Sequence, residues 1–566
     1  MLVNTAEELR CVRENAMKDL FATHAALLDA ATGAARERGF WSAFPDNPKA
    51  YPGEAAAEAK AAFEALKNRP FVLAREGDQA PRIGAEISPF GPALGITYDA
   101  SAVKELILRA EAAAPGWADA SIEQRAGIAL EILIRLNKAS FLIAEAVEHT
   151  TGQSSIMAFQ AGGPHAQDRG LEAVAYAYQE MTRIPGSALW EKPAGRSTIR
   201  LDKDFHVVPR GISLVIACAT FPTWNSYPAI FANLATGNTV LVKPHPAAIL
   251  PLAITVRIAR EVLAEQGFDA NVIQLAPDTA DTPLTKEIAT HPAVSIIDFT
   301  GSSAFGAWLR DTVRNKPVFT EEAGVNTIVI ASTDAFAAMC QNIAFSLSLY
   351  SGQMCTAPQV VFVPQDGIET ETGRKSFEEV GSGIASAIDA LLADPARAAA
   401  VLGTIQNPAT LARIDEARGL GRILRDSKPL QGSGARTASP LLLAVEAENE
   451  AAYLEERFGP IAFVVATRDA DDAVARATRA GREQGSITAA LYSTDEGEID
   501  RAARAYARAG VALSVNLTGG IYVNQSAAFS DYHVSGANPA GNACLTDAAF
   551  VANRFRVVCV RRPTAA

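Results

Sequence analysis

The sequence is poor in cysteine and has no Cys-x-x-Cys pair. Its six cysteines (Cys11, Cys218, Cys340, Cys355, Cys544 and Cys559) are scattered over 566 residues. That spacing excludes a disulfide framework, and none clusters with the seven histidines as a zinc site requires, so no metal is expected. No apolar run approaches the roughly 18 residues that a membrane span needs. Positive charge is short as well. The 51 Lys and Arg against 63 Asp and Glu give a net charge of −12, which argues against nucleic acid or membrane as the main partner. The first residues, Met1 to Leu9, are acidic and carry no secretion signal, so a reducing cytoplasm is the expected compartment. Internal repeats and low-complexity linkers are absent. So is the Gly-x-Gly-x-x-Gly fingerprint of dinucleotide folds. The nearest match, Gly381-Ser382-Gly383, lacks the third glycine and reads as a helix interruption.

What is present describes a soluble globular protein too long for one core, with 49% hydrophobic and 20% charged residues. Residues 1–100 read as an arm. Helices are expected over Leu9–Gly39 and Ala55–Leu66, with an aromatic, Pro-rich stretch between them and a loop from Pro81 to Gly95. Residues 101–151 are Ala-rich and helical, and a further helix is expected over Leu171–Arg183. Trp190 to Val208 suggests a hairpin with its turn at Asp202-Lys203. From Gly211 onward, apolar strands alternate with amphipathic helices, the pattern of parallel βαβ units in a doubly wound sheet. A second such succession begins near Val318. The tail from Phe550 to Arg561 reads as a strand that pairs with the hairpin or with another subunit.

Several short stretches carry chemistry. Tyr350-Ser351-Gly352-Gln353-Met354-Cys355 places one cysteine at a Gly-bearing break between a helix and a strand, where backbone N–H groups and a nearby base can activate a thiol. Phe299-Thr300-Gly301-Ser302-Ser303 joins a buried strand to a helix whose exposed N-terminus attracts a pyrophosphate. Gly237 to Pro244 sets Lys243 at the carboxyl end of a parallel strand, where open α/β sheets bind ligands. Pro222-Thr223-Trp224-Asn225 follows another strand end. Asn225 suits either a helix cap or an oxyanion donor. Glu321-Glu322 could supply a general base, and Glu455-Glu456 lies against the Gly459-Pro460 turn. Each signal alone has a plainer structural explanation.

Their order and spacing resemble the aldehyde dehydrogenase superfamily from about residue 100 to the end. The matching blocks are Pro222–Asn225, Gly237–Pro244, Phe299–Ser302, Glu321–Gly324, Gly352–Cys355 and Glu456–Pro460. The resemblance implies an α/β fold of that family, with cofactor-binding and catalytic parallel-sheet domains and a small β bridging element for oligomerisation. The implied division is 1–100 arm, 101–320 cofactor domain interrupted by the hairpin 190–208, 321–510 catalytic domain, 511–548 return to the cofactor domain, and 549–566 bridging strand. It implies Cys355 as nucleophile, Asn225 with the Cys355 N–H as oxyanion donors, and Glu321 or its neighbour Glu322 as base. Lys243, Gly301, Ser302, Glu456, Phe458 and Trp224 are the implied cofactor residues. Pro246 replaces an acidic residue common in NAD-preferring members, which leans toward NADP over NAD, with Lys243 and His245 close by.

Gly39–Pro45 and Val523–Asn542 are further similar to the phenylacetic acid degradation protein PaaN group. That suggests an aldehyde, possibly CoA-linked, from aerobic aromatic breakdown, and a homodimer or homotetramer. A CoA-acylating dehydrogenase and a ring-opening hydrolase are the alternatives.

Overall fold

The computed structural model describes residues 19–73, 81–322, 324–431, 434–545 and 547–564. Besides a short two-stranded ladder in the arm, Arg82–Ile83 with Tyr98–Asp99, three larger sheets organise it. The first is a hairpin, β1 (Ser187–Ala194) and β2 (Ser197–Pro209). Its turn is Gly195-Arg196, with Gly195 at φ +64°, and not Asp202-Lys203, whose residues stay in the ladder opposite Leu189 and Ala188. Glycine reaches positive φ without a Cβ clash, and this position outweighed the more polar pair.

The second sheet is parallel: β3 (Ile212–Ile216), β4 (Thr239–Lys243), β5 (Ile273–Leu275), β6 (Val294–Gly301) and β7 (Val318–Glu322), in the order β5-β4-β3-β6-β7. Its strands are buried on both faces and correspondingly rich in Val, Ile and Leu. The order of strand addition reverses at β3, so the carboxyl ends of β3, β4 and β6 open a crevice at the switch point. Glu321 and Glu322 end β7, opposite Thr300 and Gly301 of β6. They therefore belong to this sheet, and the second succession begins at Asn326 and not at Val318.

That third sheet holds β8 (Asn326–Ile330), β9 (Pro358–Pro364), β10 (Arg422–Arg425), β11 (Leu441–Glu446), β12 (Ile461–Thr467), β13 (Thr488–Tyr492) and β14 (Ala512–Val515), in the order β10-β11-β12-β9-β8-β13-β14. β10 and β11 escaped the sequence reading, because Leu441-Leu442-Leu443-Ala444 has no alternation to separate a strand from a helix. β14 lies in this sheet, so residues 511–548 do not simply return to the five-stranded one. The helix Phe377–Leu391 runs unbroken through Gly381 and Gly383. A Cβ at either would meet Leu424 or Phe336 at 2.8 Å, so these glycines serve helix packing.

The tail divides into a short helix, Ala548–Ala552, and β15 (Phe555–Pro563), which pairs antiparallel with β2 over nine residues. Arg554, between them, is fully buried. It donates to both oxygens of Asp298 on β6, at 2.8 and 2.6 Å, and to Asn233 at 2.9 Å. The arm is tied in as well. Its helix Leu20–Glu37 packs on the helices Ile122–Lys138 and Pro164–Thr182. The buried Glu86 carboxylate accepts from Ile249 N (2.6 Å) and Leu250 N (3.0 Å), capping the helix Leu250–Glu265 beside the crevice. The part of the expected first helix before residue 19 lies outside the described residues. Among those that are described, no helix is long and apolar enough to cross a membrane.

Candidate active site

Cys355 follows three residues held in left-handed backbone: Tyr350 (φ 49°), Ser351 (φ 50°) and Gly352 (φ +64°). Such a run is strained for non-glycine residues and survives only where its surroundings fix it. Here Tyr350 Oη donates to Thr151 O at 2.5 Å, and Ser351 Oγ reaches Leu402 O and Ala438 O at 3.0 Å each. Gln353 Nε2 bridges Tyr350 O (3.1 Å) and Thr404 O (2.9 Å). A Cβ on Gly352 would stand 2.4 Å from Gly459 O, so no other residue fits. Behind the cysteine, Asn326 Nδ2 donates to Cys355 O (2.8 Å) and Ala357 O (3.0 Å), while its Oδ1 accepts from Ile487 N (2.9 Å). This clamp has no sequence signature, since a strand-initial Asn is ordinary.

Two cavities meet at this cysteine. One, of about 590 Å³, runs along the carboxyl ends of β3, β4 and β6. Lys243, Gly301, Ser302, Glu456 and Phe458 line it, with Glu321, Glu322 and Arg413. The other, of about 830 Å³, lies between Trp41 of the arm, Met157, Trp224, Phe345 and the segment Asn524–Ala528. Phe221, Asn225 and Cys355 belong to both walls. Trp224 lines the second cavity, not the first, and leaves the cofactor set. The helix that carries it starts at Pro222, so Trp224 and Asn225 point to different sides of its first turn. Asn225 sits inside that helix, where it is no cap.

Glu321 is 1% exposed and both its oxygens are engaged. Oε2 accepts from Asn225 Nδ2 at 2.9 Å, and Oε1 lies 2.9 Å from His533 Nε2. Burial pushes this carboxyl up, but His533, Cys355 and Asn225 together outweigh it and hold the group below the usual carboxylate range. Partial burial, and then the Glu321 charge, raise the Cys355 thiol well above its ordinary value. The resting proton is therefore on sulfur and the resting charge on Glu321. Glu322 forms an ion pair with Arg310 and faces the first cavity. The strand alternation that separates the two side chains leaves Glu321 beside the thiol.

His533 was missed from sequence. It comes from the long loop after β14, and no spacing rule connects it to Cys355. Its Nε2 is 3.9 Å from Cys355 Sγ, and its ring meets Trp224 edge to face at 4.6 Å. Glu321, Cys355 and His533 have donor types that can hold a metal. The hydrogen bond from Nε2 to Glu321 and the unsupported Nδ1 mark a proton-sharing cluster, because a metal-ligating His normally donates its other N–H to a partner.

The first cavity suits a dinucleotide. Ser302 caps the ten-residue helix Ser303–Thr312, whose N-terminal dipole favours a pyrophosphate. Lys243 is buried and pairs with Asp278 at 2.6 Å, so its charge is already matched. His245 Nδ1 accepts from Ala247 N at 3.2 Å, a role open only to neutral imidazole at that atom. At the far end, burial pushes Glu456 up to about 7, with Arg413 pulling the other way.

A doubly wound sheet with a crevice suited to a dinucleotide, beside a buttressed thiol, a carboxylate and an amide, is the arrangement of a dehydrogenase. The chain belongs to the aldehyde dehydrogenase family, whose model matches residues 96–543. It is thus a nicotinamide-dependent oxidoreductase acting on aldehydes. Among solved structures it is similar to an NAD-dependent aldehyde dehydrogenase from Burkholderia multivorans, 51% identical over 97% of this chain and 100% of that one, with a TM-score of 0.95. Among characterised relatives it is 29% identical over 393 residues to N-succinylglutamate 5-semialdehyde dehydrogenase of Burkholderia multivorans (68% of this chain, 75% of that one). It is 25% identical over 490 residues to 1-pyrroline-5-carboxylate dehydrogenase of Bacillus subtilis (83% and 89%).

Proposed function

We propose that the enzyme oxidises an aldehyde with an uncharged, largely apolar tail to its carboxylic acid, and that water releases the product. The observation that carries this reading is the meeting of two cavities at Cys355, between Asn225 and Glu321. Cys355 Sγ attacks the carbonyl carbon after Glu321 takes its proton. The developing oxyanion is held by the Cys355 N–H and by an Asn225 Nδ2 hydrogen, since the amide has two and Glu321 uses one. A nicotinamide dinucleotide bound in the first cavity supplies the hydride acceptor. Lys243, Gly301, Ser302, Glu456 and Phe458 are the residues that would hold it. Glu321 first gives up the thiol proton to solvent, then accepts a proton from water. The hydroxyl adds to the thioester carbon, the C–S bond breaks with the electron pair returning to sulfur, and the acid leaves.

Among the described residues no Lys or Arg lines the second cavity. A substrate bearing a free carboxylate, as the names of the two relatives imply for theirs, would find no lysine or arginine to pair with there. An apolar chain, or the neutral pantetheine arm of a CoA-linked semialdehyde with its phosphates left outside, fits the lining. The resemblance to the PaaN group supports the second form, from aromatic breakdown. NAD is the preferred cofactor in this reading. Asp278 restores beside Lys243 the negative charge that Pro246 lacks, and a carboxylate there opposes a 2′-phosphate. Within this scheme the five-stranded sheet binds cofactor, the seven-stranded one carries the nucleophile, and the three-stranded one bridges subunits. Exposed Leu189, Ile199, Val557 and Val558 on that last sheet favour assembly, and a monomer in light scattering would sink that part.

The test is a kinetic panel of phenylacetaldehyde, an uncharged aliphatic aldehyde, a CoA-linked semialdehyde and glutamate 5-semialdehyde, each with NAD and NADP. An uncharged-tail or CoA-linked aldehyde should exceed the carboxylate-bearing one in kcat/KM by about 100-fold, as expected for a charge left without a partner. Preference for glutamate 5-semialdehyde, or product acid that forms only as acyl-CoA when CoA is added, contradicts it.

A further inference from the structure

The geometry points to His533 as a second catalytic group, an N–H donor that follows the negative charge from Glu321 to the Cys355 sulfur. This rests on the reading of Cys355 as nucleophile. His533 is 2% exposed, packed edge to face on Trp224, and its Nε2 faces two reacting groups at once, Glu321 Oε1 at 2.9 Å and Cys355 Sγ at 3.9 Å. An ionised carboxylate only accepts, so Nε2 carries the hydrogen. Nδ1 has no hydrogen-bond partner among the described residues, so nothing competes for the ring from its other side.

In the resting state the Nε2–H donates to the Glu321 carboxylate. When Glu321 takes the thiol proton, the S–H bond breaks, an O–H bond forms on Glu321, and the charge moves to sulfur. The neutral carboxyl is then a weaker acceptor than the thiolate, and a small rotation of the imidazole turns the same Nε2–H toward Sγ. No proton leaves the histidine, and no further reactant is needed. The thiolate gains a charge-assisted hydrogen bond at the moment it forms.

Titratable and charged groups around the cysteine are Glu321 at the end of β7, His533, Cys218 after β3, and Glu456 from the first cavity. Around the imidazole stand Glu321 and Cys355, with Arg169 beyond the Trp224 ring and Asp168 and His165 across the cavity. Of these groups, only the Glu321 O–H that has just received the proton and the His533 N–H are placed to donate to the thiolate, and His533 is the one that does not hand the proton back.

The test is the pH dependence of Cys355 alkylation by iodoacetamide in the full chain without cofactor, read on the Cys355 peptide by mass spectrometry, with activity followed in parallel. His533→Phe keeps the ring packing on Trp224 and removes the donor. It should move the alkylation midpoint up by about one pH unit, a tenfold loss of thiolate at a fixed pH. His533→Gln restores an N–H at a similar reach and should return the midpoint to within about 0.3 unit of wild type. If the phenylalanine variant does not fold, His533→Asn takes its place, since its amide falls short of both acceptors and the same upward shift is expected. An unchanged midpoint in the folded Phe or Asn variant overturns the proposal. So does a Gln variant shifted as far as they are. Labelling of Cys355 without loss of activity would instead sink the nucleophile reading.

Discussion

Glu456 shows how a single buried carboxyl can couple cofactor binding to pH. Burial against the cavity wall holds it near 7, well above the ordinary value of 4.5. A raised carboxyl pKa means the folded protein holds the proton more tightly than the unfolded chain. Glu456 therefore takes stability away as pH rises from about 4.5 to 7, and above 7 it is a carboxylate able to grip a ribose hydroxyl. Glu456→Gln should raise the KM for the nicotinamide cofactor about tenfold at pH 8, the effect of losing one charge-assisted hydrogen bond, without lowering the thermal midpoint there. Wild-type cofactor KM should climb toward the variant's value as pH falls below 7. A pH-independent ratio between the two would rule the carboxylate out. At this scale much of the site was legible. Cys355, Asn225, Glu321, Lys243, Ser302 and Glu456 sit in short blocks at fixed distances from strand ends, and the fold brings them to two adjoining cavities. His533 and Asp278 were not legible, because each reaches its partner across more than 30 residues of intervening chain with no periodicity to announce it.

Among the elements, the arm is the least predictable, yet side chains tie it to the body. Asp168, on the helix Pro164–Thr182, holds it by two bonds: Ala43 N donates to Oδ1 at 3.0 Å, and Ser42 Oγ lies 2.6 Å from Oδ2. Ser42 has one hydroxyl hydrogen, and Phe44 O lies 3.0 Å away as its acceptor. The pair is satisfied best when Asp168 carries a proton and donates to Ser42. Burial agrees with this, pushing Asp168 up to about 7 from 3.8. The folded state binds that proton more tightly than the unfolded chain, so the clasp weakens as pH rises from about 4 to 7. Asp168→Asn keeps an acceptor for Ala43 and a donor for Ser42 without the charge. Its thermal midpoint minus that of wild type should therefore increase by about 2 °C or more between pH 5 and pH 8. A constant or falling difference contradicts the protonated clasp.

Helices were read from composition and periodicity: Ala55–Leu66 is observed as expected, while the helix expected over Leu171–Arg183 starts two turns earlier, at Pro164, and ends at Thr182. The misplaced hairpin turn, the unseen β10 and β11, and the assignment of β7 are tertiary choices. Strand order and glycine conformation decide them, and neither is local.

The whole molecule comes down to one arrangement. A dinucleotide crevice from one sheet and an apolar cavity walled by the arm and the loop after β14 converge on a cysteine delivered by the other sheet. The buried Arg554–Asp298 pair fixes the tail to the five-stranded sheet, the β15–β2 ladder fixes it to the hairpin, and the Glu86 cap fixes the arm, so the convergence does not depend on either sheet alone. The most direct test is to acid-quench the enzyme during steady turnover of an accepted aldehyde and map the peptide masses. The account predicts a substrate-derived acyl mass on the peptide that contains Cys355, and no reduced cofactor from Cys355→Ala. Cofactor reduction that survives in Cys355→Ala, or an acyl group on another residue, would contradict it.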